Sequence, residues 1–234
     1  MNTMLPPYEV HWHPPGAKPP AQVTAFQTHY PVPLHQGGVL ELPLRALPGG
    51  QQAIALLMSN QTPFEVEDTL ANQMTSLARP LKPQMVAAVP TMGLDYARRV
   101  ARSLQLPHYV SLGLSRKFWY DEALSEPVVS STSPDQAKRL YLDPALLSRV
   151  AGRRVLLVDD VINTGASAAA AIRLLQRAGA EVCGLVVALT EGHAWREPLS
   201  PLLPHGADDV HAAGYIPLFQ AEAHGRWSPI AETR

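Results

Sequence analysis

Residues 155–158 read Val-Leu-Leu-Val, and both positions that follow are aspartate, Asp159 and Asp160. An unbroken aliphatic run of this kind is what a strand covered on both faces of a parallel sheet requires. After Val161 and Ile162 come five small or polar residues, Asn163, Thr164, Gly165, Ala166 and Ser167. An alanine-rich stretch with helical character then runs from Ala166 to about Ala178. The order is strand, acidic pair, short loop, helix, which points to an α/β architecture.

That order also predicts chemistry. Ligands of open α/β sheets bind outside the carboxyl ends of the strands, where Asp159 and Asp160 fall. Small residues from Asn163 to Ser167 let backbone amides converge on an anion, and the hydroxyls of Thr164 and Ser167 can donate as well. The helix behind them turns its positive dipole end to the same point. Two carboxylates beside a phosphate cup suit a ribose 5-phosphate, the acids taking the 2- and 3-hydroxyls and the cup the 5-phosphate. Paired aspartates at a strand end also open signalling receiver domains, but those acids lie early in their domain. Here only the last third of the chain follows Asp160, and Thr-Gly comes at once.

The rest of the chain reads as a strand–helix alternation. Val39–Arg45 and Gln52–Met58 are expected strands around the turn Leu47-Pro48-Gly49-Gly50. Apolar residues at Phe64, Val66, Leu70, Ala71, Met74 and Leu77 have helical spacing. Met85–Val89 is an expected buried strand, Leu94–Leu104 a helix, His108–Leu112 a strand, Lys138–Leu142 a strand and Val182–Leu189 a further strand. Such alternation implies a parallel sheet with right-handed crossovers. Thr91, Met92 and Gly93 close a strand and open a helix, a second anion-friendly turn. Arg116 and Lys117, expected at the end of the His108 strand, are adjacent cations of the kind that bind pyrophosphate. Residues 118–136 are polar, with Ser130-Ser131-Thr132-Ser133 in the middle, and suit a lid. Asp208 and Asp209 lack a flanking apolar strand and read as a solvated turn.

Composition narrows the classes. With 234 residues, 46% hydrophobic, the chain suits one α/β domain with additions. A net charge of −1 implies no general attraction to nucleic acid or membrane. The opening Met-Asn-Thr-Met-Leu-Pro-Pro has neither a basic start nor an apolar core, and no apolar run approaches the roughly 20 residues that span a bilayer. The cytoplasm is the expected location. The single cysteine, Cys183, lies in an expected strand and is expected to pack as an apolar residue. Eight prolines crowd the first 33 residues, which predicts an extended or loosely ordered arm carrying His11, Trp12 and His13. The expected organisation is an arm and edge hairpin over 1–60, a core over 61–193 and a tail or hood over 194–234, all in one domain.

The segment Val155–Ser167 resembles the phosphoribosyl-pyrophosphate (PRPP) signature of the type I phosphoribosyltransferases: an apolar run, two acids, a few variable residues, then Thr-Gly and small hydroxylated residues. Ala166 departs from purine members that carry a second glycine there. The resemblance implies a Rossmann-like open, mainly parallel sheet with helices on both faces, and a small hood built from the chain termini. It implies a pyrophosphate loop at Thr91, Met92 and Gly93, a mobile lid after Arg116 and Lys117, and Asp159 and Asp160 as the catalytic pair. It implies transfer of the 5-phosphoribosyl group from PRPP to a nitrogenous base, a purine in preference, with Mg²⁺ held mainly through the pyrophosphate. Asp121, Glu122 and Glu126 on the lid are candidate general bases. A homodimer is a further expectation from the family. A PRPP sensor without turnover is the competing class, and the chain shows no helix-turn-helix signal that such a regulator would use.

Overall fold

A computed structural model of the chain describes residues 7–17, 23–128 and 138–233. The N-terminal part is antiparallel: β1 (His11–His13), β2 (His29–Pro33), β3 (Val39–Ala46) and β4 (Gln52–Ala55). β3 pairs with β1, β2 and β4. The expected hairpin turn closes through the Gly50 amide on the Leu47 carbonyl at 3.0 Å, with Gly49 and Gly50 both at positive φ. The described part of the proline-rich arm is not loose. Trp12 lies over Gly38, where a Cβ would collide with the indole. His13 Nε2 sits 3.3 Å from Glu41 Oε2, and the His11 ring packs on His29 at 5.2 Å.

The core follows as α1 (Phe64–Ala78), β5 (Met85–Ala88), α2 (Gly93–Ser103), β6 (Val110–Ser111), the hairpin β7 (Ser125–Val128) and β8 (Lys138–Tyr141), and α3 (Leu147–Val150). It continues through β9 (Arg154–Ile162), α4 (Ala166–Arg177), β10 (Glu181–Glu191), α5 (Arg196–Leu199), β11 (Val210–Ile216), β12 (Phe219–Glu222) and β13 (Arg226–Pro229). Five strands form one sheet in the order β11-β10-β9-β5-β6, parallel at every pairing. Along β9 the aliphatic run alternates faces. Leu156 and Val158 pack with α1, α2 and the antiparallel sheet, while Val155 and Leu157 pack with α4. Ala168, Ala169, Ala170 and Ala171 are buried and let α4 lie close on its face. Each buried leucine or valine contributes about 1.5–3 kcal/mol.

Three expectations are corrected. The core does not stop at residue 193: β11 joins the parallel sheet beside β10. The tail contributes only β12 and β13 to the hood, where β12 pairs with β4. Asp209 is not solvated. It is 7% exposed and accepts bonds from the His205 amide at 2.6 Å and from its Nδ1 at 2.9 Å. Burial alone would raise its carboxyl, but the His205 contacts outweigh that and hold it below the ordinary range. Finally, β6 is two residues long, so Arg116 and Lys117 do not end a strand. The chain leaves the sheet at Gly113 to pair with Tyr141.

Candidate functional site

The sheet order makes the site. The chain passes from β5 outward to β6 on one side and from β9 outward to β10 and β11 on the other, so β5 and β9 flank a topological switch point. Loops leaving the carboxyl ends of such a pair diverge and open a crevice. Here they are residues 89–92 after β5 and 163–165 after β9. They enclose a cavity of about 330 Å³ lined by Thr91, Met92, Asp159, Asp160 and every residue from Val161 to Ala168. Of the expected site residues, Asp159, Asp160, Asn163, Thr164, Gly165, Ala166, Ser167, Thr91 and Met92 therefore come together. Gly93 supports the wall, and Arg116 and Lys117 lie outside the lining.

The carboxylates are held differently. Asp159 is 7% exposed, and its Oδ1 accepts the Asp160 amide at 2.9 Å. Burial, and then the charge of Asp160, push its carboxyl well above the ordinary range. Asp160 is more open and is also raised, by burial first. Two acids so placed favour a ligand that supplies donors or positive charge. Tyr96 on α2 is fully buried nearby, its hydroxyl has no hydrogen-bond partner among the described residues, and burial followed by the Asp160 charge raises it.

The loop after β9 is shaped for an anion. Gly165 caps α4 at φ 76°, a left-handed conformation that other residues rarely adopt. A Cβ there would also stand 3.2 Å from the backbone of Trp195. The first-turn amides of α4 have no carbonyl four residues back to bond, and the Thr164 hydroxyl reaches the Ala166 amide only at 3.4 Å. The loop after β5 needs its glycine for space. Gly93 has ordinary φ, yet a Cβ there would lie 2.8 Å from Asp159 Oδ1 and 2.9 Å from Asp159 Cα. Ser59 ties this loop to the hood by donating to the Met92 carbonyl at 2.8 Å. The Pro90–Thr91 peptide is cis.

The lid candidates separate. Arg116 and Lys117 are exposed, and Arg116 faces Glu122 at 3.7 Å. Glu122 also pairs with Arg139 at 3.2 Å, and Asp121 caps its own turn through the Ala123 amide. Glu126 is 7% exposed and clamped by Arg173 at 2.7 Å and Arg177 at 2.5 Å from α4. Burial opposes ionisation there, but the two guanidiniums outweigh it and hold the carboxyl low. Glu126 thus anchors β7 to α4, and a carboxyl held by two guanidiniums is poorly placed to act as a general base. Phe118 is almost fully exposed, and Trp119 donates to Asp143 at 3.1 Å. The serine-rich stretch 130–133 lies outside the described residues.

One group went unread in the sequence. Glu191, at the end of β10, is 5% exposed, accepts a bond from Asn163 Nδ2, and is raised by burial to about 7. Its signal was an acid closing an apolar run, as at Asp159.

Solved structures share this fold. The adenine phosphoribosyltransferase of Rhodothermus marinus superposes over 81% of this chain and 94% of its own, with a TM-score of 0.56 at 21% identity. That of Trypanosoma brucei, solved with AMP, pyrophosphate and ribose-5-phosphate, has a TM-score of 0.53 at 17% identity over 68% of this chain and 65% of its own. At these identities the likeness concerns fold alone. In sequence, a 54-residue stretch, 23% of this chain, is 57% identical to an adenine phosphoribosyltransferase of Streptomyces galbus. A 150-residue stretch, 64% of this chain, is 27% identical to an orotate phosphoribosyltransferase of Staphylococcus aureus. These stretches span 30% and 58% of the relatives' own lengths, less than two thirds in each case. Residues 61–203 match the model of the phosphoribosyl transferase domain, more than half of the chain. With the acidic strand end, the Thr-Gly loop and the switch-point crevice all inside that match, the chain belongs to the phosphoribosyl transferase domain family.

Proposed function

We propose that this protein transfers the 5-phosphoribosyl group of PRPP to a nitrogenous base, a purine in preference to a pyrimidine, with release of pyrophosphate. One observation carries the reading: Asp159, Asp160 and the first turn of α4 line a single cavity with the 91–92 loop opposite them. The α4 amides and the hydroxyls of Thr164 and Ser167 hold the 5-phosphate. Asp159 and Asp160 take the ribose hydroxyls, and their charge stabilises the ring as it becomes cationic at C1. The 91–93 loop receives the pyrophosphate, and Arg116 and Lys117 approach it as the lid closes and excludes water. Phosphate binding remote from C1 orients the sugar for displacement.

Mg²⁺ is part of the proposal. Among the described residues no group of three or more His, Cys, Asp or Glu is placed to hold a metal ion. Two carboxylates in the cavity wall fit an ion that brings most of its ligands with the substrate, as Mg²⁺ does with phosphates. When bound, the ion neutralises the departing pyrophosphate. The purine preference draws on the stretch 57% identical to an adenine enzyme. No helix among the described residues is long and apolar enough to cross a membrane.

The test is pyrophosphate release from PRPP with Mg²⁺ across adenine, guanine, hypoxanthine, xanthine, orotate and uracil. Release that depends on a purine is the expected result. Release with orotate or uracil alone overturns the purine preference. PRPP binding without release under any base gives the sensor class the advantage.

A further inference from the structure

We propose that Glu191 is a positioning residue for the 5-phosphate cup, acting through Asn163, and that residues 191–195 are the buttress holding the 163–165 loop in its binding shape. This rests on the reading of that loop as a sugar-phosphate site. After a bulge at Val182–Gly184, β9 and β10 stay paired to their carboxyl ends, Thr190 opposite Ile162. The loop leaving β9 and the connector leaving β10 therefore emerge side by side, and they touch at both ends of the loop. At the first, Asn163 Nδ2 donates to Glu191 Oε2 at 2.5 Å. At the other, the Trp195 backbone closes on Gly165, with 3.2 Å to the place a Cβ would occupy.

The connector is itself fixed. Trp195 is 3% exposed, and its indole N–H donates to the Gly192 carbonyl at 2.9 Å. Glu191 has no ion-pair partner among the described residues, so a buried carboxyl is kept there without a cation. Burying such a group is costly unless it is hydrogen-bonded, and the bond it makes is to the loop. A carboxyl oxygen is a strong acceptor. It engages one N–H of the exposed Asn163 side chain and leaves the other N–H and the amide oxygen for a ligand. A loop held in shape before binding avoids the ordering cost that a free loop meets.

Titration calorimetry of the full chain with ribose 5-phosphate, and separately with pyrophosphate and Mg²⁺, tests this. Glu191→Ala is expected to weaken ribose 5-phosphate about tenfold, the size of one lost bond to a carboxyl, and to leave pyrophosphate within about twofold. KM for PRPP rises with it while kcat holds. Glu191→Gln keeps an acceptor oxygen and restores the affinity. Adding Glu191→Ala to Asn163→Ala costs nothing further, because both remove the same bond. If Glu191→Ala does not fold, Asn163→Ala, at an exposed position, must show the same selective loss. Unchanged ribose 5-phosphate affinity in the variants, or an equal loss of both ligands, overturns the inference. Failure of the unmutated chain to bind ribose 5-phosphate would instead overturn the sugar-phosphate reading itself.

Discussion

The loops at residues 91–93 and 163–165 flank the same switch point and need glycine for opposite reasons. Gly165 sits at φ 76°, so its requirement is conformational, with Trp195 adding a steric one. Gly93 has an unremarkable backbone and is required only because Asp159 of the neighbouring strand stands where its Cβ would be. The first requirement is local to the loop, and the second exists only once β5 and β9 are paired. A glycine in a strand-to-helix loop can therefore report either a turn or a neighbour, and the two respond differently to substitution.

The largest effect is expected where the two loops meet, at the acids. Asp159→Asn with Asp160→Asn removes the charge that both loops surround, and kcat/KM for pyrophosphate release should fall by about 10³-fold or more. Unchanged activity would remove these residues from the site. Gly93→Ala comes next. Its methyl would lie 2.8 Å from Asp159 Oδ1 and 2.9 Å from Asp159 Cα, so α2 and Asp159 must part. Activity should drop about 100-fold, and thermal unfolding should show a loss of about 1–3 kcal/mol. Gly165→Ala should cost about 1–2 kcal/mol in the same assay, and Gly165→Asn less, since asparagine tolerates the left-handed region. Equal costs for Ala and Asn would mean that Trp195, and not φ, sets the requirement at 165, and the contrast between the loops would collapse.

The pH dependence of stability is a separate test. Glu191 is raised to about 7, and burial raises Asp159 and Asp160 as well. Between about pH 4.5 and 7 the folded chain holds protons that the unfolded chain has released, so stability falls as pH rises across that window. Glu126 and Asp209 are held low and act in the other direction, their contribution being lost as pH falls below about 4. Urea midpoints across pH should therefore peak on the acid side of neutrality. Glu191→Gln should flatten the neutral limb, a change on the order of 2 kcal/mol. A neutral limb unchanged in that variant would show that Glu191 is not buried as described.

Much of the core was legible because its signals are local. The aliphatic run of β9, the Thr-Gly loop and the alanines of α4 lie in one stretch of chain, and their periodicity needs no partner to be read. The hood was legible only as a hairpin around Gly49-Gly50. Its other contacts join residues far apart in sequence, as when Phe26 bridges Trp227 and β12 pairs with β4. Glu126 misled for the same reason. In a polar stretch it resembles a free lid acid, and only folding brings Arg173 and Arg177 onto it.

By itself, then, the sequence determined the α/β class, the acidic strand end with its Thr-Gly loop, and the hairpin turn, because each follows from the conformational and solvation preferences of neighbouring residues. The tertiary structure decided the rest. It set the strand order that places β5 beside β9, the entry of β11 into the core sheet, the need for glycine at 93, and the reach of Glu191 to Asn163. Those depend on which distant segments share a surface, and that is settled only when the two faces of the parallel sheet are buried together.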